Sequence, residues 1–107
     1  MFGYAGKLLI INLTEATVCT RELHPGLASS YLGGIGFNAR IIYDEVPPGA
    51  DPLGEDNVLV FGVGSLVGSP FPTAARTEAS AKSPLTGGFG TSNSGAFWGT
   101  RLKNAGY

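Results

Sequence analysis

The sequence predicts an α+β fold, rich in β-strands in antiparallel or mixed sheets, with two short helices. Three observations predict it. Four segments have strand character, at residues 7–13, 18–23, 58–63 and 74–82, the last by strict alternation. Apolar residues recur at helical spacing in two places, 27–43 and 96–104. Seventeen glycines and seven prolines break the chain between these segments. No repeat, low-complexity tract or linker divides it, so residues 1–107 read as a single domain or part of one.

Composition narrows the function classes. Charged residues make up 14% of the chain, against about 25% in typical soluble domains. So short and weakly charged a chain fits better as a piece buried against more protein than as a self-sufficient monomer. A net charge of −1 gives no electrostatic footprint for nucleic acid or an anionic membrane. One cysteine excludes an internal disulfide and an iron–sulfur cluster ligated by this chain alone. One histidine leaves no zinc site of usual spacing. The apolar runs 8–11 and 58–61 fall far short of the ~20 residues that span a bilayer. No secretory leader is expected at the N-terminus, and the expected compartment is the cytoplasm.

In chain order, residues 7–13 form a strand with two apolar faces, which should be covered on both sides. Residues 18–23 alternate and should pair with it as a hairpin, with Cys19 as a small buried hydrophobe. His24-Pro25-Gly26 ends that strand; His24 has no catalytic neighbours in sequence and reads as a strand-end or loop residue. Leu27, Tyr31, Ile35, Ala39 and Ile42 mark a helical stripe. Gly33, Gly34 and Gly36 weaken that helix by about 1 kcal/mol each, which suggests close backbone packing or a loop interrupting the helix. Gly34-Ile-Gly36-Phe-Asn-Ala39 fits a dinucleotide fingerprint, but no strand leads into it and no βαβ unit surrounds it, so that reading is rejected. Residues 44–57 are turn-rich, and their five carboxylates lack the alternate spacing of a calcium loop. Residues 58–63 are continuously apolar and should be a central strand. Gly64, Gly68 and Ser69 lie in a loop suited to close approach by a cofactor.

The chain is organised around residues 72–95. Ala74, Arg76, Glu78, Ser80 and Lys82 share one strand face; Ala75, Thr77, Ala79 and Ala81 share the other. Ser83-Pro84 ends the strand, and Gly87, Gly88 and Gly90 carry the backbone through a turn or bulge. Asn93 or Ser94 then caps a final helix, and Gly106 stands at its C′ position. A glycine- and serine-rich loop at a helix start is an anion site, with Arg76 to supply charge. The plainer reading is a capped helix after a glycine turn, with Arg76 in a surface ion pair. Glu78 reads as that arginine's partner or a structural polar group, not a catalytic carboxylate. Phe97 and Trp98 read as core.

Several motifs carry a family resemblance. Gly3-Tyr-Ala-Gly6-Lys7, Ile11-Asn12-Leu13-Thr14, Tyr31-Leu-Gly-Gly34 and Pro47-Pro48-Gly49-Ala-Asp51-Pro52-Leu53 occur in order, and Leu102-Lys-Asn-Ala-Gly-Tyr107 closes the series. The most specific pair is Lys82-Ser-Pro-Leu-Thr-Gly87 followed by Ser92-Asn-Ser-Gly95. With these the chain resembles the N-terminal part of the tungsten-containing aldehyde:ferredoxin oxidoreductase family across essentially its whole length. The resemblance implies an incomplete N-terminal cofactor-base domain of a larger enzyme. It implies tungsten, or molybdenum in some relatives, held by the dithiolenes of two pterins, and a nearby [4Fe–4S] cluster whose ligands lie outside this chain. Carried over residue by residue, the pterin contacts fall on Arg76, Asn93 and Gly95, with Asn93 near a magnesium ion bridging the pterin phosphates. No residue here is expected to be catalytic.

The implied reaction oxidises aldehydes to carboxylic acids with ferredoxin as acceptor. The expected partners are the rest of the parent polypeptide or a complementing subunit, ferredoxin, and further copies in a homo-oligomer. Two alternatives stay open. One is a relative acting on another substrate, such as an aromatic-ring thioester. The other is a non-enzymatic glycine-rich β module that assembles with a partner through open strand edges.

Overall fold

The computed structural model describes residues 3–107. In order these form β1 (Lys7–Asn12), β2 (Thr17–Glu22), α1 (Pro25–Ser30), α2 (Ile35–Glu45), β3 (Val60–Val63), β4 (Thr77–Lys82), β5 (Phe89–Ser94) and α3 (Trp98–Asn104). β1 and β2 make a two-stranded sheet; β3, β4 and β5 make a three-stranded one with β4 in the middle. All pairings are antiparallel. The α+β architecture is as expected, with three helices rather than two.

β1 and β2 pair from Lys7↔Glu22 to Asn12↔Thr17. Asn12 Oδ1 closes the turn by accepting from the Thr14 and Glu15 N–H groups at 3.0 and 3.1 Å. Contrary to expectation, the hairpin is not covered on both sides. Ile11 is 55% and Val18 64% exposed, and Cys19 is exposed rather than buried. Its ties to the rest are few: Arg21 Nη1 meets Glu45 Oε1 at 3.1 Å, and Thr20 Oγ1 lies 3.4 Å from Tyr107 Oη, while the Leu23 N–H bond to Gly6 O at 2.8 Å prolongs the hairpin's own ladder.

The predicted helix over 27–43 is split into α1 and α2. His24 caps α1, its Nδ1 accepting the Gly26 N–H at 3.0 Å, with Pro25 in the first turn. The break comes from Gly33 and Gly34. A Cβ on Gly33 would lie 2.6 Å from the Tyr4 ring and 2.8 Å from Val63 O, and Gly34 begins α2 at φ +75°. The glycines thus serve both expected roles, close packing and interruption. The buried residues of α2 are Phe37, Asn38 and Ile42; of the stripe read in sequence Ile42 is buried as expected, whereas Ile35 is 48% and Tyr31 39% exposed. Gly36 stands apart from its neighbours. A Cβ there meets nothing closer than 3.8 Å, and its φ is not left-handed. Gly36→Ala should therefore stabilise the fold by about 0.5–1 kcal/mol; an unchanged or lower urea midpoint would argue against it.

α2 packs on the three-stranded sheet through Asn38, 1% exposed. Its Nδ2 donates to Ser80 Oγ at 3.0 Å and lies 3.3 Å from both Val60 O and Glu78 O. Its Oδ1 has no hydrogen-bond partner and rests against Gly62, where no Cβ fits. β4, the polar strand, is central: its backbone pairs with β3 and β5, and the buried Asn38 amide gives its Ser80 hydroxyl a partner. β3, expected to be central, is an edge strand with Phe61 half exposed. Asn57 prolongs the pairing beyond β3: its amide oxygen accepts the Lys82 N–H at 3.1 Å and its Nδ2 donates to Lys82 O at 3.0 Å.

α3 lies against the other sheet face through Gly99, where a Cβ would strike Thr77 Oγ1. Its end is a Schellman motif: the Gly106 N–H bonds Lys103 O, the Tyr107 N–H bonds Leu102 O, and Gly106 has φ +100°, as its C′ position predicts. Lys103 Nζ donates to Ser65 O at 2.6 Å, and burial lowers its pKa. Phe97, 79% exposed, and Trp98, 49% exposed, are not core residues. Among the described residues the buried apolar side chains are only Leu23, Phe37, Ile42, Ala50 and Val67. No described helix is long and apolar enough to cross a membrane.

Candidate functional site

β4 and β5 form a hairpin in register from Thr77↔Ser94 to Lys82↔Phe89. The motif Lys82-Ser-Pro-Leu-Thr-Gly87 is its loop. Ser83 Oγ accepts from the Leu85 and Thr86 N–H groups at 3.2 and 3.3 Å, and the Ser83 N–H bonds Gly88 O at 2.7 Å. Gly87 turns the chain at φ +71°. The segment read in sequence as a glycine loop before the last helix is instead mostly strand. Asn93 and Ser94 sit in β5 and cap nothing. α3 starts at Trp98, after Phe97, with no side-chain cap, so the expected anion site at a helix start is not built.

The three candidate contacts are nonetheless brought together by the hairpin. Arg76 stands one residue before β4, exposed, and its Nη1 donates to Asn93 Oδ1 at 2.7 Å. Asn93 faces Glu78 across the ladder, on the same sheet side. Glu78 is not the arginine's ion-pair partner. Its Oε2 accepts the Thr91 hydroxyl proton at 3.0 Å. The ion pairs among the described residues are Arg21–Glu45 and Arg40–Asp44. Gly95 follows β5, and a Cβ there would have no atom within 4 Å. The result is a guanidinium oriented by a neutral amide, beside a bare stretch of backbone. Such a fork suits the oxygens of a phosphate.

Beyond β5, toward the other side of the sheet, lies a cavity of about 280 Å³, lined by Phe61, Thr77, Ala79, Ser92, Ser94 and Trp98 and bordered by the candidate residue Asn93 itself. The Phe61 and Trp98 rings are 5.2 Å apart, and small side chains form the floor. Gly64, Gly68 and Ser69 are not among its lining residues. They belong to a loop that packs on α3, with Gly68 facing Thr100. A larger concavity, about 680 Å³, lies between the first hairpin and α1–α2; of its charged side chains Arg21 and Arg40 are already paired with Glu45 and Asp44, and Glu22 is the remaining one. Among the described residues no group of three or more His, Cys, Asp or Glu side chains is placed to hold a metal.

Sequence reasoning passes over Asn38 and Thr91, which with Ser80 and Glu78 form one hydrogen-bonded series across the sheet. A polar residue inside a helical stripe is a faint signal for Asn38. Nothing in sequence singles out Thr91.

Comparison with known proteins adds three findings. The family model described as "Aldehyde ferredoxin oxidoreductase, N-terminal domain" matches residues 8–107. The chain is 40% identical over 107 residues to a tungsten-containing aldehyde ferredoxin oxidoreductase of Pyrococcus abyssi, and 39% identical to one of Pyrococcus horikoshii. All of this chain is covered in each, but only 18% of the relative's length. Among solved structures it resembles the active site complex BamBC of benzoyl coenzyme A reductase in complex with 1,5-dienoyl-CoA. There the TM-score is 0.95 at 38% identity, covering 99% of this chain and 16% of that one.

Proposed function

The chain belongs to the aldehyde ferredoxin oxidoreductase family, by the match of its N-terminal domain model to residues 8–107, and from that premise we propose that it forms part of the cradle for a tungsten or molybdenum bis-pterin. The parent would be an oxidoreductase that oxidises aldehydes to carboxylic acids with ferredoxin as acceptor. Residues 1–107 would be one partial domain of it. The observation that carries the reading is the Arg76 guanidinium, unpaired by any carboxylate among the described residues and held 2.7 Å from Asn93 Oδ1.

The residues present fit the group. Arg76 would take the pterin phosphates, Asn93 would orient Arg76 and anchor polar atoms, and Gly95 would let the cofactor approach the backbone. Asn93 would also be the residue beside a magnesium ion at the pterin phosphates. When bound, the metal would supply the redox chemistry, with electrons leaving through a [4Fe–4S] cluster. Cys19, exposed on β2 far in sequence from this site, is no set of ligands for that cluster. The exposed apolar residues of the first hairpin favour the rest of a parent polypeptide or a complementing subunit as cover.

A second reading, the same cradle serving reduction of an aromatic-ring thioester, is favoured by the structural likeness to the benzoyl coenzyme A reductase complex. The two readings share the cradle and differ in residues beyond it.

Gly95→Val tests the cradle. Because a Cβ at Gly95 meets nothing within the chain, the variant should fold with an unchanged urea midpoint. In a full-length family polypeptide carrying this segment, its pterin and tungsten content should fall at least severalfold. Undiminished content would mean that nothing approaches this backbone.

A further inference from the structure

Resting on the cradle reading, we infer that Thr91 is a positioning residue: it holds the Glu78 carboxylate away from Arg76 and so keeps the guanidinium open to a phosphate-bearing ligand. Arg76 and Glu78 are two residues apart along one strand direction, about 7 Å between their Cα atoms. Both are long enough to meet. Glu78 is also directly opposite Asn93, the residue that binds Arg76. An Arg76–Glu78 ion pair is the arrangement that this spacing favours, yet Arg76 is in neither of the ion pairs among the described residues.

The reason lies on the neighbouring rung. Thr91 is opposite Ser80, diagonal to Glu78. Its hydroxyl has one proton. That proton goes to Glu78 Oε2 at 3.0 Å rather than to Ala79 O, which is farther at 3.4 Å and uncharged. Thr91 Oγ1 must then accept from the Ser80 hydroxyl, 3.0 Å away. Ser80 Oγ in turn accepts from Asn38 Nδ2 at 3.0 Å. Every donor in the series points the same way, from the buried amide of α2 to the carboxylate. Asn38 and Ser80 are each 1% exposed, so the origin of the series is fixed. The carboxylate is drawn along the sheet, away from Arg76.

The test measures inorganic pyrophosphate binding to a cofactor-free full-length family polypeptide carrying this segment, by isothermal titration calorimetry, with Arg76→Ala as the control that assigns the signal to this site. Thr91→Val removes the hydroxyl at constant shape and strand preference. It should weaken pyrophosphate about threefold or more, as the released Glu78 pairs with Arg76. Thr91→Ser, which keeps the hydroxyl, should bind as the wild type does. Glu78→Gln added to Thr91→Val should restore affinity, which a general loosening of the hairpin would not allow. If the wild-type chain binds and Thr91→Val binds equally well, or if Glu78→Gln fails to restore it, Thr91 has no such role. If the cofactor-free wild-type polypeptide binds no pyrophosphate, or Arg76→Ala binds it equally well, the cradle reading falls, and this inference with it.

Discussion

Arg76→Ala in a full-length family polypeptide carrying this segment will leave the domain folded and strip it of most of its cofactor. Hydrogen bonds to a charged group are worth about 1.5–3 kcal/mol, and each 1.4 kcal/mol is about tenfold in affinity. The expected loss of tungsten and pterin is therefore about ten- to a hundredfold at limiting cofactor. The folding side of the balance is small. Arg76 is exposed, its one hydrogen bond goes to an exposed asparagine, and it anchors no buried group. The urea midpoint should move by less than the equivalent of about 0.5 kcal/mol. Metal analysis and pterin fluorescence after oxidative release measure the first effect; far-ultraviolet circular dichroism in urea measures the second. Normal cofactor content would defeat the assignment of Arg76.

Gly62→Ala will have the opposite profile. It should abolish native folding of this region, although Gly62 is none of the three candidate contacts. The added methyl collides with the Asn38 side chain, which has no free direction in which to retreat. Overpacking of this kind costs about 1–3 kcal/mol. Displacing Asn38 also strips its donors from Ser80 Oγ, Val60 O and Glu78 O, for about 1–3 kcal/mol more. A chain with only five buried apolar side chains among its described residues has little reserve against such a sum. Soluble yield and the urea midpoint should both collapse. A variant with a wild-type midpoint would show that α2 does not pack on the sheet through Asn38.

Particular residues show what the sequence can and cannot reveal. β4 is legible because Thr77, Glu78, Ala79, Ser80, Ala81 and Lys82 alternate, and alternation is what a pleated backbone imposes. β5 is hidden. Phe89-Gly-Thr-Ser-Asn-Ser94 has the composition of a turn and is extended only because β4 offers six residues of ladder. Continuous apolarity at 58–61 signals two covered faces, but it does not say that the cover lies within the chain. In these 107 residues Leu59 is 62% exposed and Phe61 50%. The same error recurs at Cys19, Phe97 and Trp98. The helical stripe of α2 is right at Ile42 and wrong at Ile35, because Asn38 occupies a core position that apolar periodicity cannot register. The residues alone mark Arg76 as a charge beside an anion site and Asn93 as a helix cap; only the resemblance makes both of them cofactor contacts. That they touch depends on strand register, which no spacing of seventeen residues discloses. The Thr91–Glu78 contact is invisible for the same reason.

The loop that joins β4 to β5 is short and internally bonded, and this has a bearing on the order of events during synthesis. The Arg76–Asn93 contact spans seventeen residues and needs only this hairpin. Hairpins close in about 1–10 μs, whereas a ribosome adds about 5–20 residues per second. In a polypeptide of the relatives' length, of which this chain covers 18%, the guanidinium and its amide would be set in place while most of the chain had yet to be translated. The docking point for the phosphates would then precede the walls that close around it, and cofactor loading would be a matter of timing during biogenesis as much as of final affinity.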